Sequence, residues 1–219
     1  MRKIALVAVL LAVSILFTTH PARTQDTAAI VSGIQKKYAS INDLKSPFTQ
    51  ETRIKDLGEK ISSSGNVWFK KPAMMKWQYE EPWKDTIVSD GKKIWYFDSQ
   101  ENQVAETEFD SVWADSLGSY TVISILEDLD RLFDVRPGAG STDVRGNVLL
   151  DLKQKNQEQS KQVTIAVDPR TYMLREIIIG DIFGNTTVIK LGTAKVNLGI
   201  PDSFFAFKKP EGAGTVTFP

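Results

Sequence analysis

Cysteine is absent from this chain of 219 residues, and its single histidine stands at position 20. Without cysteine there is no disulfide, no thiol nucleophile and no thiolate metal site. No cysteine is available for lipid attachment behind a leader, so the chain is not expected to be a lipoprotein itself. Without a histidine after His20, Ser-His-Asp chemistry, imidazole general bases and histidine-ligated metals also drop out. An excess of one charge is missing as well, with 27 basic and 27 acidic residues. Setting Arg2 and Lys3 aside leaves 25 basic against 27 acidic. That balance offers no electrostatic footprint for nucleic acid, and no nucleic-acid partner is expected. Beyond Phe17 no stretch is apolar enough to span a bilayer.

The basic pair Arg2-Lys3 is followed by an apolar run from Ile4 to Phe17. This order predicts an export leader over residues 1–22, with cleavage near Ala22. His20, three positions before the cut, departs from the usual small-x-small pattern. Residues 23–219 are then expected to fold as a single exported domain.

The most distinctive stretch is Gly65 to Asp98, which holds four of the five tryptophans. Trp113 is the fifth. Ahead of it, Ile30, Ile34, Tyr38 and Ile41 recur at helical spacing, which predicts a helix from Thr27 to Ile41 capped by Asp26 or Thr27. Asn42-Asp43 and Pro47 are expected to end it. From Phe48 the period becomes two. A half-exposed strand runs through Phe48, Gln50, Thr52 and Ile54, and a second, Ile61 to Lys70, sets Val67 and Phe69 on one face. Met75, Trp77 and Tyr79 alternate with mostly polar neighbours in a two-faced strand. Thr86 to Ser89 and Ile94 to Phe97 flank an Asp90-Gly91 hairpin signal. Gln103 to Phe109 completes this set of strands.

Between Ser116 and Phe133 the spacing of Tyr120, Ile123, Leu126, Asp130 and Phe133 predicts one helix or two short ones. Pro137 to Ser141 reads as a loop. Strands follow at Val144 to Lys153, Gln162 to Asp168, Met173 to Gly180 and Thr186 to Leu191, joined by polar turns such as Asn156 to Ser160. Short strands joined by tight turns predict an antiparallel sheet.

The candidate chemistry is thin. Gly138-x-Gly140 lacks the third glycine and the following helix of a phosphate loop. Glu80-Glu81 would point to opposite faces of a strand, and Glu127 to Asp130 fall on the polar side of a helix. Both read as solvated surface and not as paired catalytic carboxylates. Asn185-Thr186-Thr187 has the form of a glycosylation sequon, without consequence behind a bacterial-type leader. No catalytic residues, metal ligands or cofactor are expected. The aromatic stretch can fill a sheet core, yet the sheet is large and the helical material that could cover it is small. A partly open sheet must bury its apolar face against those helices or against a ligand.

The run Gly65-x-Val67-Trp68-Phe69-x-Lys71-Pro72, then Met75-x-Trp77, Pro82 and Ile87-Val88-Ser89-Asp90-Gly91-x-x-Ile94-Trp95, resembles the periplasmic outer-membrane lipoprotein carrier family, LolA. Phe48-Thr49-Gln50 fits the family's first strand, and Phe205-x-Phe207-x-x-Pro210-x-Gly212 fits its carboxyl end. The resemblance implies an incomplete antiparallel β-barrel, mainly β with some α, covered by lid helices. It implies a periplasmic monomer that takes acylated lipoproteins from an inner-membrane, lipoprotein-releasing ABC transporter and passes them to an outer-membrane lipoprotein receptor. The cavity is then expected to be lined by Val67, Phe69, Met75, Trp77, Tyr79, Val88 and Trp95. Ile30, Ile34, Ile123 and Leu126 are expected on the lid. The family's lid latch is an arginine before the proline of the central motif, and here that position is Lys71, a point charge and not a planar fork. Two other readings stay open at this stage: a carrier or sensor of another lipid or glycolipid on the same fold, and an exported hydrolase using carboxylates or lysines.

Overall fold

The computed structural model describes residues 26–108, 122–155 and 162–217. The expected leader and cleavage point, Trp113, Tyr120 and the expected turn from Asn156 to Ser160 lie outside those residues.

Helix α1 (Thr27–Ala39) opens where the Asp26 carboxylate accepts the Ala28 N–H at 3.0 Å. It ends two residues before Ile41, and the next strand starts at once. Strand β1 (Asp43–Ile54) begins five residues ahead of the Phe48 start expected from the alternation. Pro47 does not break it, for a local reason. β1 pairs on one side with β11 (Thr186–Leu191) up to Phe48, and with β12 (Lys195–Val196) only from Lys45 back. Pro47 falls in the gap between these partners, where a missing N–H costs no ladder bond, and its carbonyl accepts from Gly192 at 2.9 Å.

The strands β2 (Glu59–Lys70), β3 (Met74–Glu81), β4 (Thr86–Asp90), β5 (Lys93–Asp98) and β6 (Gln103–Glu108) continue from β1 as antiparallel neighbours. Among the described residues two short helices follow, α2 (Val122–Glu127) and α3 (Leu129–Leu132), divided at Asp128. Phe133 is not the end of the helical stretch but the first residue of β7 (Phe133–Thr142). β7 also contains the segment expected as a loop, Pro137 to Ser141. As the last strand of the sheet it tolerates proline and glycine through a register shift between Pro137 and Thr142. The following strand, β8 (Val148–Gln154), consequently starts four residues later than expected, after a turn over residues 143–147. β9 (Gln162–Val167) and β10 (Leu174–Gly180) complete the second half.

Together with β13 (Gly214–Thr217) these make a 13-stranded sheet in the order β13-β6-β5-β4-β3-β2-β1-β11-β10-β9-β8-β7, with β12 beside β1. The sheet does not close on itself: among the described residues its edge strands β13 and β7 are not paired. The expected half-barrel, mainly antiparallel and carrying helices, is the architecture found. One pairing departs from it. β13 (Gly214–Thr217) lies parallel to β6 and covers its outer edge, a long-range contact with no local signature.

Burial follows the register. The inner face carries Leu44, Phe48, Val67, Phe69, Met75, Trp77 and Ile94 from the first half, and Leu150, Leu152, Val163, Ile165, Ile177 and Ile189 from the second. Ile30, Val31, Ile34 and Tyr38 of α1, with Val122, Ile123, Leu126 and Leu129, join the same cluster. On the other side, the carboxyl-terminal chain straps the outer face through a short 3-10 helix, Asp202–Phe205. Buried Asp43 holds that strap, accepting the N–H groups of Leu198, Gly199 and Ile200 at 2.6, 3.0 and 3.2 Å.

The turn between β9 and β10 is organised by Asp168, whose carboxylate accepts the Arg170 N–H at 2.9 Å and the Arg175 guanidinium at 3.1 Å. The Arg170 N–H, together with Arg175 and Thr171, outweighs the upward push of burial and brings its pKa from 3.8 down to about 2. A depressed carboxylate stabilises the fold fully above its unfolded-state pKa and loses that contribution as pH falls toward the folded value. The urea midpoints of the wild type and Asp168→Asn are therefore expected to differ above pH 3.8 and to converge toward about 2. A difference that stays constant with pH would show that Asp168 does not contribute in this way.

Candidate functional site

The floor of the inner face is assembled by cross-strand registration. Leu44 of β1 faces Phe69 of β2, which faces Met75 of β3. One row on, Ser46, Val67 and Trp77 align, and Ile87 of β4 continues the row. The third row is Phe48, Gly65 and Tyr79. Gly65 is required there, because a Cβ would lie 2.0 Å from the Gln78 carbonyl oxygen. The space above it is taken by its neighbours: Phe48 meets Trp77 edge-on at 4.8 Å between ring centroids and Tyr79 at 5.1 Å. Phe69 meets Trp77 at 5.9 Å. A polar anchor among these rings is the Tyr79 hydroxyl, which donates to Gln50 Oε1 at 3.2 Å.

Two expected lining residues are not on this floor. Val88 registers with Lys76, not with Trp77, and Trp95 registers with Val88. Side chains alternate across a strand, so both project from the outer face. There Trp95 stacks on Phe207 at 5.6 Å and donates its Nε1–H to Glu106 at 2.9 Å. Trp68 lies on the same outer face against Phe204 at 5.3 Å, with the Lys45 ammonium over its ring. The inner positions of β4 and β5 belong instead to Ile87, Ser89, Ile94 and Tyr96. Alternation within each strand groups Ile87 with Ser89 and Ile94 with Tyr96, but which group faces inward depends on the β3–β4 and β4–β5 registers.

The helices share one buried cluster with the floor. Phe69, Met75 and Trp77 are at most 1% exposed, and so is Ile34 of α1. Ile30, Ile123 and Leu126 are buried in the same cluster. At its far end α1 is pinned by Tyr38, whose hydroxyl oxygen accepts the Leu174 N–H at 3.0 Å. Burial raises the Tyr38 pKa to about 12, only partly offset by that hydrogen bond, so the phenol is neutral at any physiological pH.

Lys71 stands where the two helices and the sheet meet. Its ammonium donates to the Ala39 carbonyl at the end of α1 at 3.1 Å and pairs with the Glu127 carboxylate at the end of α2 at 2.7 Å. Next to it the Ser124 hydroxyl donates to the Pro72 carbonyl at 2.7 Å. Gln35 of α1 donates to the Glu127 carbonyl at 3.3 Å and to Asp130 at 2.7 Å. The acidic cluster Glu127 to Asp130 is thus more than solvated surface: Glu127 and Asp130 tie the helices together, while Asp128 pairs with Arg131 at 2.5 Å. Glu80 accepts from Asn66 at 2.9 Å. A rotatable ammonium reaches a carbonyl and a carboxylate in different directions, a geometry suited to lysine's point charge.

A surface pocket of about 900 Å³ lies beside this cover, between α1 and β7, with Val31, Phe133 and Val135 at its base. What the arrangement offers chemically is a broad apolar surface under a cover held by polar contacts at its rim.

The family model described as outer membrane lipoprotein carrier protein LolA matches residues 39–208. A protein of Alkalilimnicola ehrlichii that bears the name outer-membrane lipoprotein carrier protein is 27% identical over 212 residues, covering 95% of this chain and 93% of its own. A relative of the same name from Legionella pneumophila (strain Corby) is 28% identical over 207 residues, covering 92% and 95%. Among solved structures, an uncharacterized conserved protein from Thermus thermophilus superposes with a TM-score of 0.53 at 13% identity, over 87% of this chain and 98% of its own. That last likeness shows the fold alone.

Removing the Lys71 ammonium should loosen both helices at once. Lys71→Ala is expected to speed amide exchange in the last turn of α1 and in α2 by about tenfold, while Lys71→Arg stays near the wild type. Hydrogen-exchange mass spectrometry reads this directly. Unchanged protection in Lys71→Ala would mean that apolar packing alone seats the helices.

Proposed function

This chain belongs to the LolA family of outer-membrane lipoprotein carrier proteins, and from that premise we propose that its helix-covered floor holds the acyl chains of lipoproteins in transit through the periplasm. The observation that carries this reading is the burial of Ile34, Ile123 and Leu126 of α1 and α2 in one cluster with Phe69, Met75 and Trp77. Those residues form an apolar surface whose present cover consists of two separate helices tied at their ends.

The energetics suit a carrier. Burying a methylene group is worth about 0.8 kcal/mol, so a long acyl chain brings on the order of 10 kcal/mol of gross transfer energy. A floor left permanently open would hold such a chain too firmly to pass it on. Here a chain must first displace Ile30, Ile34, Ile123 and Leu126 from the floor, and giving up their apolar packing offsets part of the gain. Met75 suits the lining because its flexible thioether adapts to chains of different shape. Val67, Phe69, Trp77 and Tyr79 complete that lining in this reading, and Lys71 acts as the latch. The work is transport, not catalysis. The carrier acts in the periplasm behind a cleaved leader, as a monomer. It receives cargo from a lipoprotein-releasing ABC transporter in the inner membrane and delivers it to a lipoprotein receptor at the outer membrane.

The test is binding of a fluorescent triacylated lipopeptide to the purified chain. The wild type is expected to bind it, and Tyr79→Glu, which changes a half-buried margin of the floor, to bind at least about tenfold more weakly with its fold intact. Trp77→Glu should remove binding altogether. Native mass spectrometry of the protein recovered from the periplasm separates the cargo classes, since a bound glycolipid and no lipoprotein would overturn the assignment.

A further inference from the structure

We propose that two adjoining hairpin tips, residues 55–58 and 181–185, form a membrane-contact point that inserts Leu57, Ile182 and Phe183 into the headgroup boundary of a phospholipid bilayer. These three side chains are 66%, 75% and 69% exposed. One exposed apolar residue is ordinary, whereas several large ones on neighbouring tips mark a contact surface.

Folding does not account for them, because the molecule contains the same turn twice. Residues 143–147 and 181–185 both read Asp-x-x-Gly-Asn. In the first, the Asp143 carboxylate accepts the N–H groups of Arg145 and Asn147 and the Asn147 side chain, all at 2.8 Å. In the second, Asp181 accepts from Phe183 and Asn185 at 2.9 Å and from the Asn185 side chain at 2.8 Å. Gly146 and Gly184 take matching left-handed conformations, φ 80° and 83°. The frame therefore needs Asp, Gly and Asn and leaves its two middle positions free. One turn fills them with Val144-Arg145, the other with Ile182-Phe183.

The second turn is also joined to the β1–β2 tip that carries Leu57: the Lys55 N–H donates to Asn185 Oδ1 at 3.0 Å. Gly184 N–H returns to the Asp181 carbonyl, and Gly58 N–H to that of Lys55. Backbone donors satisfied in this way lose little when water is withdrawn, a condition for any segment entering a lipid interface. Side chains on convex tips also fit a fluid surface, which needs no matching pocket. Lys55, Arg53 and Lys60 near the tips are outnumbered by the carboxylates of Glu51, Asp56, Glu59 and Asp181. Apolar burial and not charge should then drive the contact, and it should resist salt.

The position is apt for lipid exchange. α1 meets the start of β10 at Leu174, whereas the tip follows its end at Gly180. Between helices and tips the inner face continues through half-buried Ile54, Ile61 and Ile179.

The experiment grafts one turn's middle residues onto the other, as Ile182→Val with Phe183→Arg, and measures flotation with phosphatidylcholine vesicles. The wild type should float with the vesicles. The graft should partition at least about tenfold more weakly, with its unfolding midpoint and lipopeptide affinity unchanged. Since the sequence has no cysteine, Phe183→Cys takes a polarity-sensitive dye at one place. Its emission should shift to the blue on adding vesicles, and that of Val144→Cys should not. Equal flotation of the graft, no flotation of the wild type, an unmoved dye at 183, or binding only to vesicles bearing membrane proteins would each overturn the proposal. Loss of lipopeptide binding with flotation intact would count against the cavity reading instead.

Discussion

Between its edge strands β13 and β7 the sheet has no ladder among the described residues, so its inner face has no closing strand to pack on. That face carries Phe48, Phe69, Trp77 and a row of aliphatic residues from every neighbouring strand. Leaving it wet would forfeit the main driving force of folding. α1 and α2 supply the cover. Their amphipathic spacing and the rim contacts around Lys71 follow from the need to seat two helices on one curved apolar surface.

Two kinds of interaction hold this cover, and they differ in what can replace them. The apolar contacts of Ile34, Ile123 and Leu126 are non-directional, so an acyl chain of similar area can substitute for them. The bonds from Lys71 to Ala39 and Glu127, and from Gln35 to Asp130, are directional and define one closed geometry. A cover built only of the first kind would slide. One built only of the second would leave no exchangeable surface.

The outer face is organised by different physics. The carboxyl-terminal strap sets Phe204 against Trp68 and stacks Phe207 on Trp95, and Asp43 gathers three N–H groups of the strap onto one buried carboxylate. The aromatic stretch therefore serves both sides of the sheet. Phe69, Trp77 and Tyr79 go to the floor, and Trp68 and Trp95 to the strap. Its richness in tryptophan follows from two interfaces meeting in the same strands.

The sequence by itself determined the period-two strands, the helix from Thr27, the scarcity of covering helices and the floor residues Val67, Phe69, Met75, Trp77 and Tyr79. Each of these depends on local spacing, which a single chain displays. Tertiary structure decided the rest. Val88 and Trp95 went to the outer face because the β3–β4 register aligned Val88 with Lys76 and the β4–β5 register aligned Trp95 with Val88, and a shift of one residue exchanges the two faces. Pro47 could lie within a strand because its missing N–H fell between two partners far along the chain. Pro137 to Ser141 could do so because β7 is the last strand of the sheet. The partners of Lys71 were not legible either, since Ala39 and Glu127 reach it only once α1, α2 and the β2–β3 turn have converged. Periodicity is a property of neighbours in sequence, whereas register and convergence depend on contacts between distant residues.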